Sequence, residues 1–271
     1  MSLGGTALQA SLVVVVVDLS LFATALVALR GTSVVAGLDV AIVSLFLFAG
    51  ATGTALGRLF VFGGIDRVGA SINTAIVSAR PLFATSFAFG LLGEPVSLAT
   101  GGGIGVLVVG LVTLSLAKGG DLAGWTPRDL LFPLSAAAFF AFGNVLRRFG
   151  LESGSASVLQ AVALNELGAL LVFLGYGVTR GTGRFRSAGR QSYGYFVASG
   201  ALTAVALLSM FGALALPGGR VAIVESLGAT APLFTTLFAY FLLRDLERVT
   251  RGIVVGAVLV VFGVMLVTLA A

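Results

Sequence analysis

The sequence predicts an all-α polytopic membrane protein, and three observations carry that prediction. Charged residues make up 10% and hydrophobic residues 58% of the 271, whereas an ordinary soluble domain carries roughly 25% charge. The uncharged stretches 95–117, 191–219 and 252–271 run 23, 29 and 20 residues, and a helix crosses the bilayer core with about 20 apolar residues. Runs such as 13–17 and 136–140 show no alternation of apolar and polar residues, so the period-2 pattern of a transmembrane barrel is missing.

Nine helices follow from hydropathy and loop punctuation. The first, 7–29, carries the Val13–Val17 run and is interrupted by Asp18. Residues 1–9 hold no basic segment, so this helix reads as a permanent span and not as a signal peptide. The second, 39–62, contains the uncharged stretch 40–57. The third, 70–92, contains Pro81 and runs into Leu91-Leu-Gly-Glu94. The fourth, 98–117, lies within the stretch 95–117. Helices at 129–150, 157–179, 194–215, 220–243 and 252–270 complete the set. Connections are short and rich in Gly, Arg and Pro, the longest being 118–128 and 180–192.

The chain also repeats itself. The block Pro81-Leu-Phe-Ala-Thr-Ser-Phe-Ala-Phe-Gly-Leu-Leu-Gly-Glu94 aligns with the block from Pro232 to Asp245 at an offset of 151, with eight of 14 positions identical. The same offset pairs Leu8-Gln9-Ala10 with Leu159-Gln160-Ala161, and Gly103 and Gly110 recur as Gly256 and Gly263 after a slip of two. Two units are expected, 1–117 with four helices and 118–271 with five. The helix at 129–150 has no partner, because its equivalent would lie before Met1. A five-helix unit crosses the membrane an odd number of times, so consecutive copies are expected to insert with opposite orientations. That is the inverted repeat of secondary transporters, whose substrate site lies near the midplane. The unpaired helix leads to a further expectation: the gene encodes a tenth span upstream of Met1, or a second subunit, lipid or detergent fills its place.

The block from Arg67 to Leu116 resembles the EamA module of the drug/metabolite transporter superfamily. The resemblance is carried by Pro81, by Leu91-Leu-Gly-Glu94, and by the following helix with Gly103 and Gly110. The second copy repeats the order with Pro232, Leu242-Leu-Arg-Asp245, Gly256 and Gly263. It implies two inverted five-helix EamA repeats, the first lacking its first helix, in a carrier of small polar or amphiphilic metabolites. Arg244-Asp245 departs from the Gly-Glu of the first copy.

Composition excludes other chemistries. With no Cys and no His, there is no disulfide, thiolate nucleophile, Ser-His-Asp triad or His-ligated zinc. The net charge of +5 raises nucleic acid as a partner, but the bases are spread over many loops. The cluster Arg180, Arg184, Arg186 and Arg190 fits a cytoplasmic loop better. Gly101-Gly-Gly-Ile-Gly105 is no phosphate loop, since no Gly-Lys-Ser/Thr follows. Gly101/Gly105 and Gly252/Gly256 read as sites of close helix packing. No catalytic residue, metal or cofactor is implied. The expected partners are a small-molecule substrate and the lipid bilayer, with no nucleic acid, in a monomer or homodimer. The expected location is the cell (plasma or inner) membrane.

Ionisable groups at membrane depth are costly and face the bundle interior. Asp18 and Glu166 sit near the middle of their spans. Through the repeat Asp18 maps to Ala169, one helical turn from Glu166, so the two copies place a carboxylate at similar depth. Each carboxylate is either a proton or substrate-amine site or a structural ion pair. Arg80, immediately before Pro81, stays charged, and Asp18 and Glu166 are possible partners. Arg58 lies nearer a helix end, where its side chain can snorkel. Asn73 and Glu225 occupy equivalent positions as cavity-lining candidates, and Asn144 and Gln160 can hydrogen-bond substrate or a neighbouring helix. Pro81 and Pro232 each remove a mid-helix donor, a kink that can serve gating. Trp125, Tyr193 and Tyr195 are interfacial anchors.

The functional expectation is a secondary transporter working by alternating access, proton-coupled or by exchange, since no ATP-binding motif is present. The rival is a non-transporting membrane-embedded enzyme or lipid-handling protein. Loop charge sets the orientation. The face holding Arg67, Lys118, Arg128, the Arg residues of 180–190, Arg244, Arg248 and Arg251 carries ten bases, and the face holding Arg30, Arg147, Arg148 and Arg220 carries four. The richer face is therefore expected in the cytoplasm and the C-terminus outside. A C-terminal reporter that is active only in the cytoplasm should stay silent, and a bright one would reverse the assignment.

Overall fold

The computed structural model describes residues 7–31, 33–34, 36–69, 73, 76–117, 125–180, 189–230, 234 and 251–269. Every regular element among them is helical. In chain order these are α1 (Ala7–Arg30), α2 (Val40–Val68), α3 (Arg80–Leu92), α4 (Leu98–Ala117), α5 (Pro127–Glu152), α6 (Val158–Arg180), α7 (Arg190–Ala215), α8 (Val221–Gly228) and α9 (Arg251–Leu269). Five of them, α1, α2, α5, α6 and α7, are long and apolar enough to cross a membrane.

Two helices depart from a regular winding. In α2 the small-residue segment Gly50–Leu56 is a π-helix between two α-helical parts. Its Thr52 hydroxyl donates to Phe48 O at 2.7 Å. The wider turn carries the helix on to Val68, beyond the end expected at 62. The helix expected over 70–92 is not continuous. Ser78 and Ala79 form a turn, and α3 begins afresh at Arg80 with Pro81 in its first turn. Ala79 has ψ of 0°. Proline disfavours helical backbone at the residue before it and brings no N–H of its own, so it starts a helix more easily than it continues one. Pro81 is thus a helix starter here and not a mid-helix kink.

The second copy behaves alike as far as it is described. Helix α8 ends at Gly228 in a turn at Ala229–Thr230, the positions equivalent to Ser78–Ala79 at the offset of 151. Pro232, Arg244 and Asp245 lie outside the described residues, as do Arg184 and Arg186.

The described chain falls into two compact units. The first comprises Met1–Leu59 and Leu146–Gly219, the second Phe60–Val145 and Arg220–Ala271. This partition differs from the two sequence copies, because each unit draws helices from both. In the first unit α1 packs on α6 and α7, and α6 packs on the first half of α2. Val15, Ala55, Ala169 and Phe173 form its buried apolar cluster. Glycine sets the distance between α2 and α6. A Cβ on Gly50 would strike the Asn165 carbonyl, and one on Gly168 would strike that of Leu47.

In the second unit α4 packs along α9. A Cβ on Gly110 would come within 2.6 Å of Val260 N, and one on Gly103 within 2.8 Å of Leu266 Cβ. On the facing helix, Gly263 lies against the Leu107 backbone. The expectation that Gly101 and Gly105 make the close contact is corrected: a Cβ on either would meet nothing within 4 Å. Gly103 and Gly110 are seven residues apart, two helical turns, and so share the face turned to α9. Gly101 and Gly105 are rotated off it.

The loop-charge count also needs correction. Arg147 and Arg148 are not surface loop charges, for they lie inside α5 and are 4% and 7% exposed. Arg148 donates to Leu214 O at 2.5 Å and Leu216 O at 2.8 Å, and pairs with Glu152 at 2.5 Å. It thereby satisfies carbonyls at the end of α7 that have no partner in their own helix.

Backbone contact at glycine tolerates no side chain. Gly110→Leu or Gly263→Leu should lower the stability of the detergent-solubilised protein by about 1–3 kcal/mol through overpacking. Gly101→Leu should be close to neutral. Thermal unfolding of the three variants side by side checks both statements.

Candidate functional site

Among the described residues, each unit holds a constellation of buried polar side chains. That of the first unit is built from four helices. Helix α1 contributes Asp18, fully buried, and α6 contributes Asn165 and Glu166, both fully buried. From α2 come Thr54, buried in the π-helical segment, and half-buried Arg58 two residues beyond it. Arg147 of α5 completes the set.

Asn165 is the hub. Its amide donates to Glu166 Oε1 at 2.9 Å and to Thr54 Oγ1 at 3.1 Å, and its Oδ1 accepts from Arg147 Nε at 3.0 Å. Arg147 Nη2 donates to Thr54 Oγ1 at 2.8 Å, and the guanidinium lies 5.4 Å from the Phe211 ring centroid. The Gly50–Asn165 and Gly168–Leu47 approaches explain why a short threonine reaches this network, since they bring the α2 and α6 backbones into contact around it.

The carboxylates are less well served. Neither oxygen of Asp18 nor Oε2 of Glu166 has a hydrogen-bond partner among the described residues. The two acids act electrostatically on each other, Arg58 acts on both, and Arg147 acts on Glu166. Arg58, half-buried on α2, is the base that acts electrostatically on both carboxylates.

In the second unit Glu225 of α8 is the centre, 2% exposed. Its Oε2 accepts from Arg80 Nε at 2.9 Å, and its Oε1 accepts from the Asn144 amide of α5. Arg80 therefore pairs with Glu225, not with Asp18 or Glu166 as its possible partners suggested. Its guanidinium also lies 5.6 Å from the Phe140 ring centroid. The contact joins the start of α3 to the helix that ends at the equivalent turn. Asn73 is 2% exposed but lies against Gly64, where an added Cβ would meet its Oδ1.

Glu94 ties the same helix in place. Gly93, in the left-handed region at φ 67°, ends α3, and both Glu94 oxygens then accept from Val221 N, at 3.1 and 3.0 Å. A carboxylate on the first N–H of a helix satisfies an orphan donor and complements the helix dipole. Arg220 donates to Pro95 O beside it. The Leu-Leu-Gly-Glu motif is thus a helix end followed by a cap for α8.

Gln160 stands elsewhere. Its Oε1 accepts from Ser157 N at 3.0 Å and from Ser157 Oγ at 2.9 Å, while Gln160 N donates to Ser157 Oγ at 3.3 Å. This is a capping box at the start of α6, and the Gln160 amide also donates to Val34 O at 2.8 Å.

Sequence reasoning missed Thr54, Arg147 and Asn165. One signal was available for Arg147, which falls within the expected helix 129–150 and not in the loop after it. Thr54 has no such signal, because only the helix contacts distinguish it from other threonines.

Long apolar helices that carry buried ionisable side chains, with a helix restarted at a proline beside one of them, fit a polytopic membrane protein. The chain belongs to the EamA-like transporter family, whose model matches residues 6–116 and 128–269. The family is one of membrane transporters within the drug/metabolite transporter superfamily. A solved crystal structure shares the fold with a TM-score of 0.80 at 18% identity, covering 98% of this chain and 87% of that one. No curated protein matches the chain.

Arg147→Ala should cost about 3 kcal/mol or more, because it removes the buried guanidinium that donates to Asn165 Oδ1 and Thr54 Oγ1 and leaves Arg58 as the one base acting on Glu166 among the described residues. Glu94→Ala, on a helix cap, should cost about 1 kcal/mol. Thermal unfolding in detergent ranks the two, and the reverse order would contradict the roles assigned.

Proposed function

We propose that the protein is a secondary active transporter that carries a small metabolite or drug-like solute by alternating access, driven by protons or by exchange. In this reading the two copies are inverted repeats in the plasma or inner membrane, and the chain works as a monomer or homodimer. It needs no cofactor and no nucleic acid. The equivalent turns at Ser78–Ala79 and Ala229–Thr230 support a repeat-based mechanism, in which discontinuous helices surround a midplane site. Membership of a transporter family favours this reading over the rival of a membrane-embedded enzyme or lipid-handling protein.

One observation carries the coupling. Asp18 and Glu166 are fully buried, yet three of their four oxygens have no hydrogen-bond partner among the described residues. A carboxyl group locked into hydrogen bonds serves structure alone. One with open oxygens can take up a proton or cation and release it, and the neighbouring Arg58 and Arg147 adjust how readily. Glu166 keeps one hydrogen bond, from Asn165, which holds the side chain in place while the other oxygen stays open.

The test is solute-elicited proton movement. Proteoliposomes loaded with a pH-sensitive dye are challenged with a panel of anionic, zwitterionic and cationic metabolites. The wild-type protein should give a pH change with at least one solute. Glu166→Gln should abolish it while keeping the elution profile and the melting temperature close to wild type. Undiminished, still pH-dependent signals in both Glu166→Gln and Asp18→Asn would sink the coupling role.

A further inference from the structure

Hydrogen-bond capacity around Glu225 is unbalanced. Both carboxylate oxygens are taken, Oε2 by Arg80 and Oε1 by Asn144. Arg80 is not used up. Its Nε serves Glu225, its face is turned toward Phe140, and neither Nη group has a hydrogen-bond partner or ion pair among the described residues. A guanidinium carries five N–H donors in a rigid plane, so four of them are left over. The side chain is also 29% exposed, against 2% for Glu225, so the open edge of Arg80 is reachable while its counter-ion is not. Two further hydroxyls on the same two helices are unpartnered and more than nine-tenths buried: Thr85 Oγ1 on α3 and Ser226 Oγ on α8.

We infer that Arg80 is the binding residue for an anionic oxygen group of the transported solute, a carboxylate in the first instance. The inference rests on the transport reading above and names the class of solute. A guanidinium edge matches a carboxylate with two parallel N–H···O bonds. Pairing through Nε alone leaves that edge intact, so Glu225 neutralises Arg80 without occupying the ligand position. The Phe140 ring centroid, 5.6 Å from the guanidinium, lies within cation–π reach of it. A cationic solute meets the more exposed charge of Arg80 before it meets the buried Glu225 carboxylate, each of whose oxygens already accepts one hydrogen bond. A phospholipid phosphate carries the same chemistry, and the experiment separates the two sources.

The probes are matched in shape and differ in charge: benzoate, benzamide and benzylammonium, with phosphatidylglycerol in mixed micelles as the lipid arm. Thermal unfolding of the full-length protein in detergent is followed against each. Benzoate should raise the melting temperature in a saturable way, with benzamide and benzylammonium giving less. Arg80→Gln should weaken half-saturation by benzoate about tenfold or more, as loss of charge-assisted hydrogen bonds does. Arg80→Lys should recover part of the loss. Asn144→Ala, which leaves Arg80 in place, should keep the preference for benzoate over benzamide.

A larger shift with benzylammonium than with benzoate would overturn the inference. So would equal shifts with benzoate and benzamide, a benzoate response unchanged in Arg80→Gln, or a response confined to phosphatidylglycerol. If Arg80→Gln fails to fold, Arg80→Lys and the three-ligand comparison on the wild-type protein decide the matter. The dye-loaded proteoliposomes keep the two readings apart. Proton movement elicited by cationic solutes alone would refute the anion site and leave transport standing.

Discussion

Everything in this molecule is arranged around the cost of charge in an apolar interior. The chain places Asp18, Arg58, Arg80, Arg147, Arg148, Glu166 and Glu225 within helices of low polarity. None of these can stay unpaired and dry without a penalty of several kcal/mol. The structure meets the demand locally, with one constellation in each compact unit and charges of both signs in each. Asn165 and Asn144 are the adaptors. An amide carries both donors and an acceptor, so Asn165 can hold an arginine on one side and a glutamate on the other. Asn144 completes the Glu225 carboxylate that Arg80 half satisfies.

Helix irregularity is what lets these groups meet. The π-helical turn at Gly50–Leu56 is made of small residues, and it lets α6 approach to backbone contact at Gly50 and Gly168. That approach brings Thr54 within reach of Asn165 and Arg147. In the second unit the restart at Pro81 puts Arg80 at a helix beginning, where its side chain reaches Glu225. The glycine contacts between α4 and α9 do a different task. They join two helices that carry no charge in their described interiors, where close van der Waals contact substitutes for polar pairing.

The two constellations differ in what they leave open. The first has spare acceptors on Asp18 and Glu166, and the second has spare donors on Arg80. The two constellations differ in hydrogen-bond capacity more clearly than in the identity of their residues. Capacity is also a stricter guide than burial alone, because Gln160 is as buried as Glu225 but spends its side chain on a capping box and a loop carbonyl.

The sequence by itself determined the all-α membrane class, most of the described helices within a few residues but not the break at Ser78–Ala79, the two related copies and the family. All of these rest on composition, run length and motif order, which are properties of the chain read in one dimension. It also singled out Asp18, Arg80, Asn144, Glu166 and Glu225, because a polar residue inside a span is conspicuous against apolar neighbours. Only the tertiary structure decided who pairs with whom. Arg80 meets Glu225 across 145 positions of chain and not a carboxylate of the other unit. Gly103 and Gly110 bear the helix contact where Gly101 and Gly105 do not. Arg147 turns inward although it stands near the end of its helix. The physical reason is common to all three. Which helix face is turned inward, and where a helix widens or restarts, depends on neighbours far away in the chain, and a hydrogen bond is settled over distances of about 3 Å that no pattern of residue types specifies.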